Sequence, residues 1–384
     1  MTKVYAVVGA NYGDEGKGLA VDYLSREGRG VVIKHNGGAQ AGHTVDRADG
    51  KRFVFHQLGS GSFNHYPTFW AYTYQPDLLK IADEVEEFKA VSGFTPKIAA
   101  DPGAKVVLLT DVYINQMKEI NRGENKHGSC GMGIWEATVR NNAGFAITIG
   151  DIADGTIFDL VGKLKLIEEV YLPKRMKELG INYHSVPALD YIEYVKALKE
   201  NLNKYVEVIE SFTDCFGENL DKIIYEGAQG LMLDAARKDL WPHTTSSRTD
   251  LTNPLNISGI GIDEAVFVSR SYVTRHGAGP FKEHPGLEFE DLTNKPNPWQ
   301  GSLRFGAFED RYELVNRVKD ALRRNEYFDR VSLFLTHLNE VNGIYTWKEG
   351  PVDIVDLIED DKYKNLFDKF YLSDTKYNTR TREI

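Results

Sequence analysis

Ten residues near the start of the chain, Gly9–Gly18 (GANYGDEGKG), have the pattern best suited to chemistry. The apolar run Lys3–Val8 predicts a buried strand before them, and Lys17–Arg26 has helical spacing after them. A glycine-rich turn between a strand and a helix points several backbone N–H groups and the positive end of the helix dipole at one place. The sequence therefore predicts an anion site, with phosphate as the usual occupant. The alternative for GDEG alone is a surface turn rich in Gly and Asp.

This loop differs from the common nucleotide-binding pattern G-x-x-x-x-G-K-[ST]. Six residues separate its first glycine from Gly16, and Gly18 follows Lys17 where a hydroxyl residue would bind magnesium. The pair Asp14-Glu15 lies inside the loop. Carboxylates repel a phosphate unless a metal ion or a proton transfer requires them.

A second cluster, His35–Thr44 (HNGGAQAGHT), follows the predicted strand Gly30–Lys34. Loops after the strands of an open α/β sheet gather at its carboxyl edge, so Asp14 and His43 can share one pocket. A carboxylate base and an imidazole acid there suit proton transfer with charge stabilisation. Alternatively, a His in a Gly-rich loop is a turn residue.

Further strand-like runs alternate with helical patterns along the chain. The helical patterns include Leu78–Ala90 and Arg311–Arg323. This alternation predicts an α/β fold with a mainly parallel central sheet and helices on both faces. The other predicted strands are Lys105–Thr110, Lys222–Tyr225, Ala265–Val268 and Val331–Leu335.

The sequence predicts one domain, 1–384, with a helical subdomain near 151–216. That region contains the helical patterns Leu164–Leu179, which Pro173 is expected to kink or split, and Tyr191–Phe212. A proline-rich stretch, Glu283–Ser302, predicts an irregular surface segment.

The composition of the chain argues against several classes of protein. The chain has 384 residues, is 42% hydrophobic and has a net charge of −10, which argues against a nonspecific nucleic-acid binder. The two cysteines, Cys130 and Cys215, form no disulfide framework. No apolar run reaches the roughly 18 residues of a membrane span, and no cleavable leader is recognised. We therefore expect a cytoplasmic protein with no membrane or nucleic-acid partner.

Taken together, GDEGKG and NGGAQAGHT resemble the motifs of the adenylosuccinate synthetase family. Three later segments resemble further motifs of that family, in the family's order. They are Tyr225–Asp234 (YEGAQGLMLD), Trp241–Ser247 (WPHTTSS) and Tyr272–Phe281 (YVTRHGAGPF). The resemblance thus covers most of the chain.

The resemblance implies a two-step ligase. A base takes the N1 proton of a 6-oxopurine nucleotide, O6 attacks the γ-phosphate of a nucleoside triphosphate, and the amine of L-aspartate displaces the 6-phosphoryl group. Asp14 is implied as the base and a Mg²⁺ ligand, the Gly42 carbonyl as the second Mg²⁺ ligand, Lys17 as a catalytic phosphate contact and His43 as the general acid. The triphosphate contacts implied are Gly13, Asp14, Glu15, Gly16, Lys17, Gly18, Gly42, His43, Thr44 and Asn339.

The resemblance also implies a purine monophosphate site. Its residues are Asp14, Gln40, Ser129, Cys130, Arg140, Gln229 and Thr245. The turn Gly128–Ile134 (GSCGMGI) has Ser and Cys where the family has two threonines. Arg140 stands near the position from which the family's partner subunit reaches the 5′-phosphate, which implies a homodimer. The alternative for Arg140 is a solvated cation at a helix end.

The chain departs from the family at two specificity elements. Leu335–Asn339 (LTHLN) replaces the family's guanine-reading TKLD, and the tail Ser373–Ile384 lacks its glycine-proline turn. An amide offers one acceptor and one donor group, which suits adenine, so ATP or dATP is expected as the donor in place of GTP. The aspartate loop, Pro298–Asp310, keeps one clear arginine, Arg304. Thr274 and Arg275 are implied beside it, and Lys282, Arg275 or Arg311 could replace the missing cations.

Departures of this kind resemble the bacteriophage branch of the family, which makes N6-succino-2-amino-2′-deoxyadenylate from dGMP. In that case the protein would work in the host cytoplasm. The first alternative is the housekeeping reaction of IMP with GTP. The second is a nucleotide-binding switch without ligase activity, which would need neither His43 nor Arg304.

Overall fold

A central sheet runs through the computed structural model, which describes residues 2–123, 129–182, 190–210, 219–259, 261–291, 294, 299, 301–325 and 328–384. Its strands are β1 Lys3–Gly9, β2 Gly30–Lys34, β5 Thr68–Trp70, β6 Ile98–Ala100, β7 Glu207–Val208, β8 Lys222–Glu226, β9 Ile262–Arg270, β12 Phe328–Thr336, β15 Lys369–Leu372 and β16 Arg382–Glu383. Within the described residues the strand order is β16-β15-β12-β9-β1-β8-β2-β5-β6-β7. Each adjoining pair is parallel except β15 with β16.

Strand β1 lies inside the sheet, between β8 and β9. Its side chains alternate between two cores: Val4 and Val8 pack on one face and Tyr5 and Val7 on the other. A parallel sheet must be covered on both faces, which explains the continuous apolar run. The predicted α/β fold class is confirmed.

Among the described residues, three antiparallel pairs stand outside this sheet. They are β3 His43–Asp46 with β4 Arg52–Phe55, β10 Val273–Arg275 with β11 Arg304–Gly306, and β13 Gly343–Thr346 with β14 Gly350–Asp353. The first strand of each pair follows a parallel strand, so the pairs begin at the carboxyl edge of the sheet. That edge is where α/β folds bind ligands.

The helices connect and cover the strands. The patterns predicted at Leu78–Ala90 and Arg311–Arg323 are confirmed as the helices Ile81–Ser92 and Glu313–Leu322, within a few residues at each end. None of the described helices is long and apolar enough to cross a bilayer. The helices are α1 Lys17–Leu24, α2 Ile81–Ser92, α3 Leu109–Arg122, α4 Ile134–Asn142, α5 Ile149–Asp154, α6 Ile157–Leu166, α7 Leu172–Glu178, α8 Tyr191–Tyr205, α9 Thr252–Ser258, α10 Glu313–Leu322, α11 Ile354–Glu359 and α12 Asp361–Lys364.

The middle of the chain is helical, as predicted. A π-helical turn, Ile167–Tyr171, separates α6 from α7, and Pro173 lies in the first turn of α7. Side chains of α5 to α8 share one core with α2, which makes them a layer beside the sheet. A separate helical subdomain near 151–216 stays a prediction, and residues 183–189 and 211–218 lie outside the described part.

One predicted strand is wrong. In the run Lys105–Thr110, Val106 N donates to the Ile147 carbonyl at 2.9 Å and Val107 N to the Pro76 carbonyl at 3.0 Å, and α3 begins at Leu109. The run is a buried connection whose backbone bonds go to loops. A short apolar run indicates that a segment is buried, but it does not by itself distinguish a strand from a buried loop. Helix α8 also ends earlier than predicted, at Tyr205.

Candidate active site

The loop between β1 and α1 carries the residues of the predicted anion site. Gly13, Asp14 and Gly16 have φ of +92°, +59° and +91°, which turns the chain sharply before the helix. A Cβ on Gly18 would lie 3.1 Å from the Cβ of His43 and 2.9 Å from the Thr44 carbonyl oxygen. Glycine is therefore required at position 18, because the second loop packs directly on the start of α1. The two loops predicted to cooperate are in contact.

Glu15 lies on the inner side of this loop. Its Oε1 accepts from the backbone N–H groups of Asn11, at 2.8 Å, and Gly13, at 3.0 Å, and its Oε2 lies 3.0 Å from Lys17 Nζ. Both side chains are buried. The carboxylate thus fills part of the loop, holds its curvature and keeps the lysine charge beside it.

Asp14 is adjacent to a buried arginine. Arg270, the last residue of β9, donates from Nε to the Asp14 carbonyl at 2.5 Å. Burial raises the pKa of the Asp14 carboxyl, while the charges of Arg270 and Lys17 act in the opposite direction. A carboxylate with a raised pKa is a better proton acceptor than an ordinary one.

His43 is held by a carboxylate that we did not predict from the sequence. Its Nδ1 lies 2.5 Å from Glu226 Oε1, and Glu226 is the last residue of β8. Glu226 also accepts from Ser60 N at 3.0 Å and Ser60 Oγ at 2.5 Å, and its Oε2 lies 3.7 Å from Lys34 Nζ. Glu226 therefore orients the imidazole and provides a buried negative charge beside it.

The charges of this pair follow from burial. Burial lowers the pKa of His43 to about 4, although Glu226 pulls it upward. Burial alone would raise the pKa of Glu226, but Lys34 and His43 lower it to about 2. Glu226 is thus ionised and His43 neutral, with Nδ1–H donating to the carboxylate. A fixed carboxylate behind an imidazole stabilises the imidazolium that forms when Nε2 takes up a proton.

Two of the predicted monophosphate residues, Gln40 and Thr245, lie near Gly37, and a third, Gln229, lies next to Gly13 of the phosphate loop. Gly37 N donates to Ser247 Oγ at 3.2 Å, and Ser247 Oγ lies 3.5 Å from Thr245 Oγ1. A Cβ on Gly37 would lie 3.0 Å from Gln40 Nε2. The Oε1 atoms of Gln40 and Gln229 are buried and have no hydrogen-bond partner among the described residues. Buried amide oxygens without partners indicate a site completed by a polar ligand.

The turn containing Ser129 and Cys130 borders this pocket. Ser129 Oγ accepts from Asn115 Nδ2 at 2.8 Å, and the turn leads into α4, whose Ile134 packs on Gly38. A Cβ on Gly131 would lie 2.9 Å from the Trp299 ring, so part of the aspartate loop covers the turn. Gly128 lies outside the described residues.

The two arginines predicted for aspartate face each other. In the antiparallel pair β10–β11, Arg275 is opposite Arg304. Arg275 donates to the carbonyls of Pro280 and His243, both at 3.0 Å, and Arg304 donates to Gly277 at 2.5 Å. The Nε of Arg275 and the neighbouring hydroxyl of Thr274 are buried and have no partner within the described ranges. This arrangement suits a dicarboxylate, because guanidinium groups bind carboxylates in pairs of hydrogen bonds.

The structure distinguishes among the three cations proposed to compensate for the lost arginines. Arg311 Nε is bound by Glu349 at 2.9 Å, and the side chain of Lys282 is 63% exposed and lies over the Trp347 ring. Arg275 is buried beside Arg304. Its Nη1 and Nη2 donate to backbone carbonyls, but its Nε has no partner within the described ranges, so Arg275 is the best placed of the three to add one hydrogen bond beside Arg304.

Asn339 lies at the same edge of the sheet, in the turn after β12, and is exposed. The end of β12 is tied to the phosphate loop, because Thr336 Oγ1 donates to the Glu15 carbonyl at 2.8 Å. A base held near Asn339 and phosphates held by the loop would lie along one edge.

Comparison with known proteins agrees with this geometry. The family model for adenylosuccinate synthetase matches residues 6–297. The adenylosuccinate synthetase of Vibrio parahaemolyticus is 30% identical over 367 residues, which cover 92% of this chain and 78% of that protein. This chain belongs to the adenylosuccinate synthetase family. The enzyme of Streptococcus sanguinis is 28% identical over the same shares of the two chains. The family consists of carbon–nitrogen ligases, so this chain is classed as an enzyme.

Two solved structures share the adenylosuccinate synthetase fold with this chain. The fully ligated adenylosuccinate synthetase of Plasmodium falciparum has a TM-score of 0.71 at 18% identity and covers 99% of each chain. The succinoaminodeoxyadenylate synthetase of cyanophage S-2L, bound to dGMP and dATP, has a TM-score of 0.62 at 16% identity. It covers 100% of this chain and 95% of the phage chain. At these identities the likeness supports the fold.

The prediction that Arg140 binds the 5′-phosphate in a partner subunit is wrong. The side chain is fully buried: Nε and Nη2 each lie 2.8 Å from a carboxylate oxygen of Asp111, and Nη2 and Nη1 donate to the carbonyls of Val106 and Phe145. A guanidinium enclosed in its own subunit does not reach the phosphate of a partner. The prediction failed because charge and sequence position do not reveal which buried acid an arginine meets.

We expect Arg140→Met to lower the free energy of unfolding by about 3–5 kcal/mol, because it leaves Asp111 buried and unpaired. Urea unfolding measures this loss. Arg323→Met is the matched control, since the Arg323 side chain is 77% exposed, and it should change stability by less than about 0.5 kcal/mol. Wild-type stability of Arg140→Met together with weak monophosphate binding would restore the intersubunit role.

Proposed function

We propose that this protein joins L-aspartate to C6 of a 6-oxopurine nucleoside monophosphate through a 6-phosphoryl intermediate. The reaction we favour is dGMP, L-aspartate and ATP (or dATP) giving N6-succino-2-amino-2′-deoxyadenylate, ADP and phosphate. The observation that supports it most strongly is the contact between the phosphate loop and the buried His43–Glu226 pair. This contact supports the proposal because it brings the loop that carries Asp14 and Lys17 next to His43 at one edge of the sheet, as the proposed base, phosphate contact and acid require.

In the first step the residues near the phosphate loop move one proton and one phosphoryl group. Asp14 accepts the N1 proton, which increases the negative charge on O6 as O6 attacks the γ-phosphorus. Lys17 and the N–H groups of the loop stabilise the charge of the transferred group. His43 first takes up a proton at Nε2, where the ionised Glu226 stabilises the imidazolium, and then donates that proton to the bridging oxygen as the bond to ADP breaks.

Magnesium is the expected cofactor, held by Asp14 and the Gly42 carbonyl. No group of three or more His, Cys, Asp or Glu side chains that could hold a metal ion occurs in the described ranges. One carboxylate and one carbonyl suit Mg²⁺ that arrives with a triphosphate, because Mg²⁺ in such sites keeps water and phosphate ligands. When bound, the ion neutralises charge on the phosphates.

In the second step the amine of L-aspartate attacks C6, the 6-phosphoryl group leaves as phosphate, and the amine loses its proton. Arg275 and Arg304 hold the two carboxylates of aspartate. The pocket around Gln40 and Gln229 holds the purine monophosphate. No described contact supports a homodimer now that Arg140 is assigned to its own subunit, so the homodimer stays a prediction from the family.

Arg304→Gln should raise KM for L-aspartate by about 10- to 100-fold, the loss expected for a hydrogen bond to a charged group. KM for the monophosphate should change little. Arg311→Gln is the matched control, because Arg311 pairs with Glu349. Initial rates at varied aspartate, and in a second series at varied monophosphate, give the two constants. Equal aspartate KM values for the two variants would remove Arg304 from the site.

The choice of dGMP and ATP rests on Asn339, which replaces the carboxylate that the family uses to read guanine. The cyanophage S-2L enzyme, bound to dGMP and dATP, adopts the same fold. The alternative is IMP with GTP, which is favoured by the retained Asp14 and by the identity to curated adenylosuccinate synthetases. Small side chains at Ser129 and Cys130 would make room for the 2-amino group of dGMP.

A coupled assay tests these alternatives. Phosphate release and product absorbance are followed with dGMP or IMP, ATP or GTP, and L-aspartate, each omitted in turn. We expect turnover only when all three substrates are present, fastest with dGMP and ATP. Turnover confined to IMP and GTP would support the housekeeping alternative. Hydrolysis that ignores aspartate would indicate a nucleotide switch.

A further inference from the structure

Asn339 alone is a weak reader of a nucleotide base. Its side chain is exposed, and one amide in contact with water discriminates poorly between adenine and guanine. Selective base recognition needs a buried polar partner that is left unpaired when the wrong base binds. A second polar group beside the turn after β12 is therefore required.

The chain after β15 lies next to that turn. Strands β12 and β15 are parallel neighbours, with Leu335 opposite Leu372. Beyond their ends Leu338 N donates to the Ser373 carbonyl at 3.2 Å. The next residues, Asn339 and Asp374, are thus on two adjacent segments at the carboxyl edge.

Asp374 has an unused acceptor there. Its Oδ1 is buried and has no hydrogen-bond partner in the described part of the chain. The turn that carries it is fixed, because Ser373 Oγ donates to the Thr375 carbonyl at 2.8 Å and Tyr377 N donates to Thr375 Oγ1 at 3.2 Å. A buried carboxylate oxygen without a donor is costly, so a ligand that supplies an N–H group is favoured at this point.

We propose that Asp374 determines the base specificity of the phosphate donor by accepting a hydrogen bond from the 6-amino group of adenine. This proposal rests on the proposed function for the triphosphate site. Asn339 supplies the complementary donor to a ring nitrogen, so that the pair offers one acceptor and one donor, as the adenine edge requires. Guanine carries an acceptor at O6 in the position where adenine carries its amino group, and a carboxylate repels it.

The test combines substitutions of Asp374 with removal of the amino group from the nucleotide. ATP, GTP and purine riboside triphosphate, which has hydrogen in place of the 6-amino group, are compared as donors and by titration calorimetry. The variants are Asp374→Ala and Asp374→Asn. Asp356→Ala, on an exposed position of α11, is the control.

We expect Asp374→Ala to raise KM and the dissociation constant for ATP by about 10- to 100-fold. The same constants for purine riboside triphosphate should rise by less than about threefold. Asp374→Asn should recover part of the ATP affinity, since its amide oxygen still accepts. Equal losses for the two nucleotides, unchanged ATP binding, or a loss confined to GTP would overturn the proposal. Calorimetry tests this proposal separately from the proposed function. If the protein does not join aspartate to the purine but Asp374→Ala still weakens ATP binding selectively, the proposed function fails and the role of Asp374 stands.

Discussion

His43→Ala is expected to lower kcat by about 10³-fold while nucleotide binding stays within about threefold of the wild type. His43 is placed to donate a proton to the departing diphosphate, and Glu226 behind it stabilises its charged form. Alanine removes that proton but leaves the glycine contact between the two loops. Stopped assays at saturating substrates measure kcat, and calorimetry measures binding.

The control for this variant is His65→Asn, since His65 is exposed and Asn tolerates its φ of +61°. Glu226→Gln should lower kcat by about 10- to 100-fold, and the double variant should be no slower than His43→Ala, because the carboxylate acts through the imidazole. Unchanged turnover in His43→Ala refutes the acid role. Multiplied losses in the double variant would show that Glu226 acts independently of His43.

Asp14→Asn is expected to lower kcat by about 10⁴-fold, at the upper end of the range for a general base. An amide has the shape of the carboxylate but does not take the N1 proton, and Asn adopts the φ of +59° without strain. The fold should therefore be intact. Thermal unfolding confirms the fold, and phosphate release measures the loss.

Glu15→Gln is the informative comparison for Asp14→Asn. The Glu15 carboxylate binds backbone N–H groups of its own loop and Lys17. The amide variant should therefore destabilise the loop and change the affinity for triphosphate, with a smaller loss of kcat than Asp14→Asn. A larger loss of kcat in Glu15→Gln than in Asp14→Asn would transfer the base role to Glu15.

Much of the site could be predicted because its parts follow strands. The apolar runs that became β1 and β2 end at Gly9 and Lys34, and parallel strands place the loops after them at one edge. The order of the two strands therefore predicts that Asp14 and His43 lie near each other. The motifs around Gln229 and Arg275 come after β8 and β9 and reach the same edge for the same reason.

Other parts depend on tertiary contacts that no local pattern records. Glu226 directly follows the predicted strand Lys222–Tyr225, but its pairing with His43 depends on β8 lying beside β2. The family motif predicts that Arg140 reaches a partner's 5′-phosphate, whereas the folded chain pairs it with the buried Asp111. The run Lys105–Thr110 had the composition of a strand but joins no strand of the central sheet within the described residues. In each case the local sequence does not show which distant residue packs against the segment.

The most direct test of the mechanism traces the 6-oxo oxygen of the purine. Monophosphate substrate labelled with oxygen-18 at O6 is converted with unlabelled triphosphate and L-aspartate, and the released phosphate is analysed by mass spectrometry. Attack of O6 on the γ-phosphorus predicts one labelled oxygen in each phosphate formed. Phosphate without the label, at full conversion to the succinyl product, would contradict a 6-phosphoryl intermediate and the roles given to Asp14 and His43.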